Sequence, residues 1–237
     1  MNSLSLYQYK NAYRYNSDTL FLYDFIRHFI FGSKPLKVLD VGAGCGILGL
    51  LLKRDLPSLE VELLDFQAQN ISLCEENAIL NNLHVKIKKI DFLEFRSDVK
   101  YDVIISNPPF YDGNSKKSEN KHLAKSRYND FLPLESFAKK AYGVLENKGN
   151  FYFCYGSSQL PMVLDALVSV GFGVETLRFV HGKKEREASL VLVRAVKNSK
   201  SICKILPPLF TSDDEGYSLE AKKVFARANT ISLKWEK

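Results

Sequence analysis

Cysteine is scarce in this 237-residue chain, and its placement excludes more than its number does. Cys45, Cys74, Cys154 and Cys203 stand far apart, with no C-x-x-C pair to seed a zinc site or a redox motif. The expectation is four reduced thiols, mostly buried. His28, His84, His122 and His181 are equally scattered and show no metal-ligand spacing, so no metal is expected. No apolar run reaches the ~18 residues of a membrane span. The opening Met1-Asn2-Ser3-Leu4-Ser5-Leu6 lacks the basic flank and apolar stretch of a secretory signal. These absences predict a cytoplasmic protein without membrane contact, taken here as a monomer.

No internal repeat, low-complexity tract or flexible linker divides the chain. With 46% hydrophobic residues it has enough apolar side chain for one substantial core. Residues 1–197 are expected to form one domain that includes an amino-terminal cap segment, with 198–237 as an extension packed on it. Charge is unevenly placed. Residues 1–109 hold 12 Lys and Arg against 13 Asp and Glu, whereas 110–237 hold 21 against 14. A basic second half favours a polyanion such as RNA or DNA, although basic proteins without such ligands are common.

Short apolar runs alternate with helical patterns. Strands are expected at Leu36–Val41, Val61–Leu64, Val85–Ile90, Val103–Ser106 and Asn150–Tyr155, with two more near Val174–Val180 and Ser189–Val196. Helices are expected from a Ser17 or Asp18 cap to Gly32, from Ile47 to about Arg54, Gln67 to about Asn81, Leu134 to Leu145, and about Gln159 to Val170, with a tail helix near Leu219–Arg227. Strands that alternate with helices pair in parallel through crossovers, which gives a doubly wound α/β sheet. The last two strands lack an intervening helix, so they predict an antiparallel hairpin at one edge.

Ligands of such sheets sit at the carboxyl ends of the strands. The first strand of the pattern ends in Asp40-Val41-Gly42-Ala43-Gly44-Cys45-Gly46-Ile47. Alternate glycines permit a tight turn and close approach of a ligand to the backbone. A dinucleotide fingerprint needs glycine where Ile47 stands, and no Walker lysine follows, so NAD and nucleoside triphosphates are disfavoured. Asp40 with the Gly42, Gly44 and Gly46 backbone suits the amino-acid part and sulfonium of S-adenosyl-L-methionine. Asp65, at the end of the next strand, is placed to accept both ribose hydroxyls. Asp91 ends the third and is placed to accept from the adenine amino group, with Phe92 beside the ring.

The fourth strand ends in Asn107-Pro108-Pro109-Phe110-Tyr111. An exocyclic amino nitrogen is a poor nucleophile because its lone pair is delocalised into the ring. The Asn107 side-chain carbonyl and the Pro108 backbone carbonyl are suited to accept its two N–H bonds and favour pyramidalisation. Pro108 and Pro109 stiffen these acceptors, and Phe110 offers a stacking face worth ~1–3 kcal/mol.

This segment resembles the amino-methyltransferases that carry an N-P-P-[YF] motif. Further features are similar to bacterial tRNA valine adenine-N6 methyltransferases: Gln8-Tyr9-Lys10, Tyr13-Arg14-Tyr15-Asn16-Ser17-Asp18, the glycine turn, Asp65, Glu76-Asn77, Asp91 and Glu215-Gly216-Tyr217-Ser218. The resemblance spans nearly the whole chain. It implies a seven-stranded, mostly parallel Rossmann-like methyltransferase sheet, S-adenosyl-L-methionine as cofactor, and methylation of an adenosine N6 beside the anticodon of a valine tRNA. Two departures stand out: Ala124-Lys125-Ser126-Arg127-Tyr128 where the family commonly reads Ala-Arg-His-Glu, and Asp65 where Glu is more usual. The same motif also serves ribosomal RNA guanine-N2 methyltransferases and protein-glutamine methyltransferases. A non-catalytic RNA-binding module is the remaining alternative. Lys116, Lys117, Lys121, Lys125 and Arg127 are expected on a phosphate-binding lid that follows Tyr111. Lys183-Lys184-Glu185-Arg186 is expected at a hairpin turn, as an RNA contact or as plain surface charge. Lys10 and Arg14, among Tyr7, Tyr9, Tyr13 and Tyr15, are expected either to close over the site or to lie in a segment packed on the sheet.

Overall fold

The computed structural model describes residues 2–9, 15–30, 34–108 and 133–235. After β1 (Leu4–Tyr9), the strands of the main sheet are β2 (Lys37–Val41), β3 (Glu60–Asp65), β4 (Lys86–Lys89), β5 (Tyr101–Ser106), β6 (Leu145–Gly156), β7 (Phe172–His181) and β8 (Ala188–Lys197). Their spatial order is β4-β3-β2-β5-β6-β8-β7, parallel throughout except where β8 pairs with β6 and β7. This is the doubly wound arrangement with an antiparallel edge hairpin that the alternation predicts. Two short strands, β9 (Lys204–Ile205) and β10 (Leu209–Phe210), lengthen the β7 edge.

The central strands are apolar on both faces because helices cover both. Val38, Val103 and Ile105 pack with residues of α1 (Ser17–Arg27), α2 (Ile47–Asp55) and α6 (Leu219–Ala228), among them Leu22, Leu51 and Val224. The alternate residues Leu39, Val41, Ile104 and Phe153 face α4 (Leu134–Val144) and α5 (Leu160–Ser169) through Phe137, Ala141 and Leu167. Full burial of each such large side chain contributes roughly 1.5–3 kcal/mol. At the other edge, β4 shows exposed Lys86, Lys88 and Lys89, charges that discourage pairing with another chain.

Three details differ from the sequence expectation. Neither Ser17 nor Asp18 caps α1: Asn16 holds the cap position without a side-chain cap bond, and instead donates to Asp18 Oδ2 at 2.7 Å. The helix ends at Arg27, short of Gly32. Residues 4–9 form a strand that the periodicity does not predict, paired in parallel with β13 (Thr230–Trp235). A strand formed from two chain ends has no local signature, since its partner lies more than 220 residues away. The tail also folds a small hairpin of β11 (Ser212–Asp213) and β12 (Gly216–Tyr217) before α6.

Candidate active site

The chain runs from β2 outward to β3 and β4, then returns to place β5 on the other side of β2. That reversal makes the carboxyl ends of β2 and β5 neighbours, with Val41 opposite Ser106. The buried Ser106 hydroxyl donates to the Val41 carbonyl at 2.7 Å and ties the two ends together. The residues that follow, Gly42 to Cys45 and Asn107, therefore line one cleft.

The glycine turn shows why its residues are glycine. Gly42 and Gly44 have φ of +68° and +60°, and a Cβ on either would project into open space. These two positions form the backbone cradle, with room for a ligand. Gly46, at φ +84°, instead faces Leu50, Leu63 and Cys74 at 3.2–3.3 Å, so its role is to pack the turn down.

Asp40 is 1% exposed and accepts the Gly49 N–H at 2.8 Å through Oδ2. Burial pushes its carboxyl up to about 7, helped by the neighbouring Asp65 charge and opposed by the Gly49 hydrogen bond. Asp65 is also buried. Its Oδ2 accepts from the Gly44 N–H and Asn70 Nδ2, each at 3.0 Å, and its Oδ1 from the Gln67 N–H at 2.8 Å. Burial raises its pKa despite these donors. The carboxylate expected to take two ribose hydroxyls is thus already engaged in locking the glycine turn to α3 (Ala68–Leu80). Asp91 is half-buried, and its Oδ1 accepts the Leu93 N–H at 2.8 Å. Phe92 is 5% exposed and packs edge-on against Phe137 at 5.7 Å, inside the core under α4.

Asn107 is held from two sides. Its Nδ2 donates to Thr19 Oγ1 at 2.8 Å, and its Oδ1 accepts from Cys154 Sγ at 3.0 Å. Pro108 is buried beside it. Pro109, Phe110, Tyr111, Lys10, Arg14, Lys116, Lys117, Lys121, Lys125 and Arg127 lie outside the described residues.

Tyr15, one of the aromatics expected near the site, lines the cleft beside Asp40 and Asn107, together with Thr19 and Asn70, which the sequence pattern does not announce. Tyr15 also contacts Thr230 Oγ1 and Ser232 Oγ of β13 through its hydroxyl, both at 3.0 Å. Gly49 carried one readable signal, a glycine inside a helix, where it costs ~1 kcal/mol relative to alanine. The structure explains it: an added Cβ would fall 2.4 Å from Leu63 and 3.1 Å from the Asp40 carboxylate. Among the described residues no group of three His, Cys, Asp or Glu is arranged to hold a metal. No helix among them is long and apolar enough to cross a membrane.

The profile of the methyltransferase small domain family matches residues 20–162. The chain is 32% identical over 119 residues to the tRNA1(Val) (adenine(37)-N6)-methyltransferase of Bacteroides thetaiotaomicron, covering 48% of this chain and 49% of that protein. A Vibrio campbellii protein of the same description is 22% identical over 184 residues, 77% of this chain and 76% of its own. The release factor glutamine methyltransferase of Streptococcus pneumoniae is 33% identical over 135 residues, 52% of this chain and 47% of that protein. The chain thus spans about half the length of two of these three relatives. Among solved structures, a predicted O-methyltransferase from Agrobacterium tumefaciens superposes with a TM-score of 0.69 at 15% identity, over 91% of this chain and 99% of that one. That likeness concerns the fold alone.

Proposed function

This chain belongs to the methyltransferase small domain family, and from that premise we propose that it methylates the N6 amino group of an adenosine in tRNA, beside the anticodon of a valine tRNA. The observation that carries the reading is the placement of Asn107 on the same cleft as the glycine cradle. Such a cleft brings an amino-group acceptor next to a site for a methyl donor.

The residues of the cleft fit S-adenosyl-L-methionine. Gly42 and Gly44 leave space for contact with the backbone, and the buried Asp40 carboxylate supplies negative charge for a cationic ligand. When bound, the cofactor supplies an electrophilic methyl group. Asn107 Oδ1 and the Pro108 carbonyl accept the N–H bonds of the target amine, fix its direction and favour the pyramidal geometry that frees its lone pair. Phe110 provides the face on which the base stacks. No general base is needed before transfer, because the nitrogen proton becomes acidic once the methyl is attached. The long alignments with adenine-N6 relatives and the basic second half support RNA over a protein glutamine. A tRNA substrate places the enzyme in the cytoplasm.

Replacement of Asn107 tests the reading, because its oxygen matters most when the target nitrogen rehybridises. In single-turnover assays on a transcribed valine tRNA, Asn107→Ala should slow methyl transfer by roughly 10²–10³. Affinity for S-adenosyl-L-methionine should hardly change. A variant that methylates at the wild-type rate would remove Asn107 from the mechanism.

A further inference from the structure

A side-chain amide offers a donor at one end and an acceptor at the other, and the two ends have nearly the same shape. Half a rotation of the Asn107 amide would present N–H groups where the proposed reaction needs a lone pair, and two N–H groups facing each other repel. Something must therefore choose the orientation. Thr19 Oγ1 alone cannot, because a hydroxyl both donates and accepts.

Cys154 supplies the second contact. It lies on β6, is 0% exposed, and points its sulfur at Asn107 Oδ1. Burial, with a smaller contribution from the Asp18 charge, raises its pKa well above the usual thiol range, so it keeps its proton and acts as a donor. A thiol is a weak donor and a weak acceptor, so it is the pair of contacts, S–H on Oδ1 and Nδ2 on the Thr19 hydroxyl, that holds the amide this way round. Thr19 on α1, 4% exposed, then receives Nδ2. An amide oxygen carries two lone pairs; the thiol engages one, which leaves the second for the target N–H.

We propose that Thr19 and Cys154 are positioning residues that hold the Asn107 amide with its oxygen committed as acceptor. The proposal rests on the reading of Asn107 given above. Neither residue belongs to the N-P-P-F segment, and neither needs to touch substrate.

Two measurements test it. The first needs no substrate: the Asn107 side-chain amide resonances are those lost from the nitrogen-15 spectrum in Asn107→Ala. In the wild-type protein they should exchange with solvent more slowly than those of an exposed asparagine, and Thr19→Val and Cys154→Ala should each move them and speed the exchange. The second is steady-state methylation of the transcribed valine tRNA. Thr19→Val and Cys154→Ala should each lower kcat about tenfold, as expected for the loss of one oriented hydrogen bond. KM for S-adenosyl-L-methionine should stay unchanged in Cys154→Ala, because Cys154 does not line the cleft. Thr19→Ser and Cys154→Ser keep the hydrogen-bonding atoms and should restore most of the rate. An Asn107 amide that exchanges like an exposed one overturns the proposal. So do Thr19→Val and Cys154→Ala variants that keep the wild-type kcat. If the wild-type protein methylates no tRNA, the functional reading fails, and the resonance experiment alone still decides whether the two residues hold the amide.

Discussion

Asp40 holds an acidic proton in a place suited to a cation, and the two demands conflict. Its folded-state pKa of about 7 lies above the ordinary 3.8, with burial as the main cause. Between those values the folded chain keeps a proton that the unfolded chain releases. Its contribution to stability is therefore fully present below pH ~4, is lost as pH rises toward 7, and is level above that, a change on the order of a few kcal/mol. Urea unfolding of Asp40→Asn should lack this component of the pH slope, and an identical slope in both proteins would refute the assignment. Ligand binding should show the opposite trend. A cation prefers the ionised carboxylate, so S-adenosyl-L-methionine should bind more weakly below pH 7, by up to ~tenfold per pH unit, with release of about one proton. Calorimetry in buffers of different ionisation heat measures that proton, and an affinity constant from pH 5.5 to 8 would contradict the account. The position of Asp40 beside the glycine turn was legible in the sequence because it stands near the end of an apolar run, two residues before Gly42. The engagement of Asp65 by Gly44, Gln67 and Asn70 was not, because those bonds depend on how α3 meets the turn.

On α3, two asparagines one helical turn apart substitute for the edge of a sheet. Asn77 and Asn81 both accept from and donate to the backbone of β1: Asn81 at Ser5 with 2.9 and 2.7 Å, Asn77 at Tyr7 with 2.7 and 3.2 Å. Residues i and i+4 of a helix and i and i+2 of a strand have spacings close enough to match. Asn77, 0% exposed, also donates to the Cys45 carbonyl at 2.9 Å, so one side chain joins the amino-terminal strand to the glycine turn. Asn77→Ala should leave three partly buried backbone groups without this partner and destabilise the fold by ~1–3 kcal/mol. Amide exchange at Tyr7 should accelerate while the β5 amides stay protected; unchanged exchange at Tyr7 would show that β13 alone holds β1. The sequence revealed the main strands and helices to within a few residues, since their apolar periods are local. It did not reveal β1 or β13. Leu4, Leu6, Ile231 and Leu233 form short alternations among polar residues, and only the fold brings them side by side.

Across the whole molecule, α1, α2 and α6 are joined by a charged cluster. Arg54 donates to Asp55 Oδ1 at 2.8 Å and to the Ala228 and Arg227 carbonyls at 2.6 and 3.2 Å, which satisfies the end of α6. Arg227 reaches Asp24 of α1, and Tyr23 bonds Asp55. This network ties α6 to α1 and α2. The positive excess lies elsewhere, in part on the β7–β8 turn, where Lys183, Lys184 and Arg186 are exposed. If that turn follows an RNA backbone, replacing all three with alanine should reduce the slope of log affinity against log salt by about 2, at ~0.7–0.9 per phosphate contact. A filter-binding series with valine tRNA measures it, and an unchanged slope would leave the turn as plain surface charge. Mass spectrometry of nucleosides from a strain lacking this chain shows which amino group receives the methyl. N6-methyladenosine should be lost from one valine tRNA, with ribosomal N2-methylguanosine intact. Unaltered N6-methyladenosine in that tRNA, with or without loss of N2-methylguanosine from ribosomal RNA, would rule out adenosine N6 as the target.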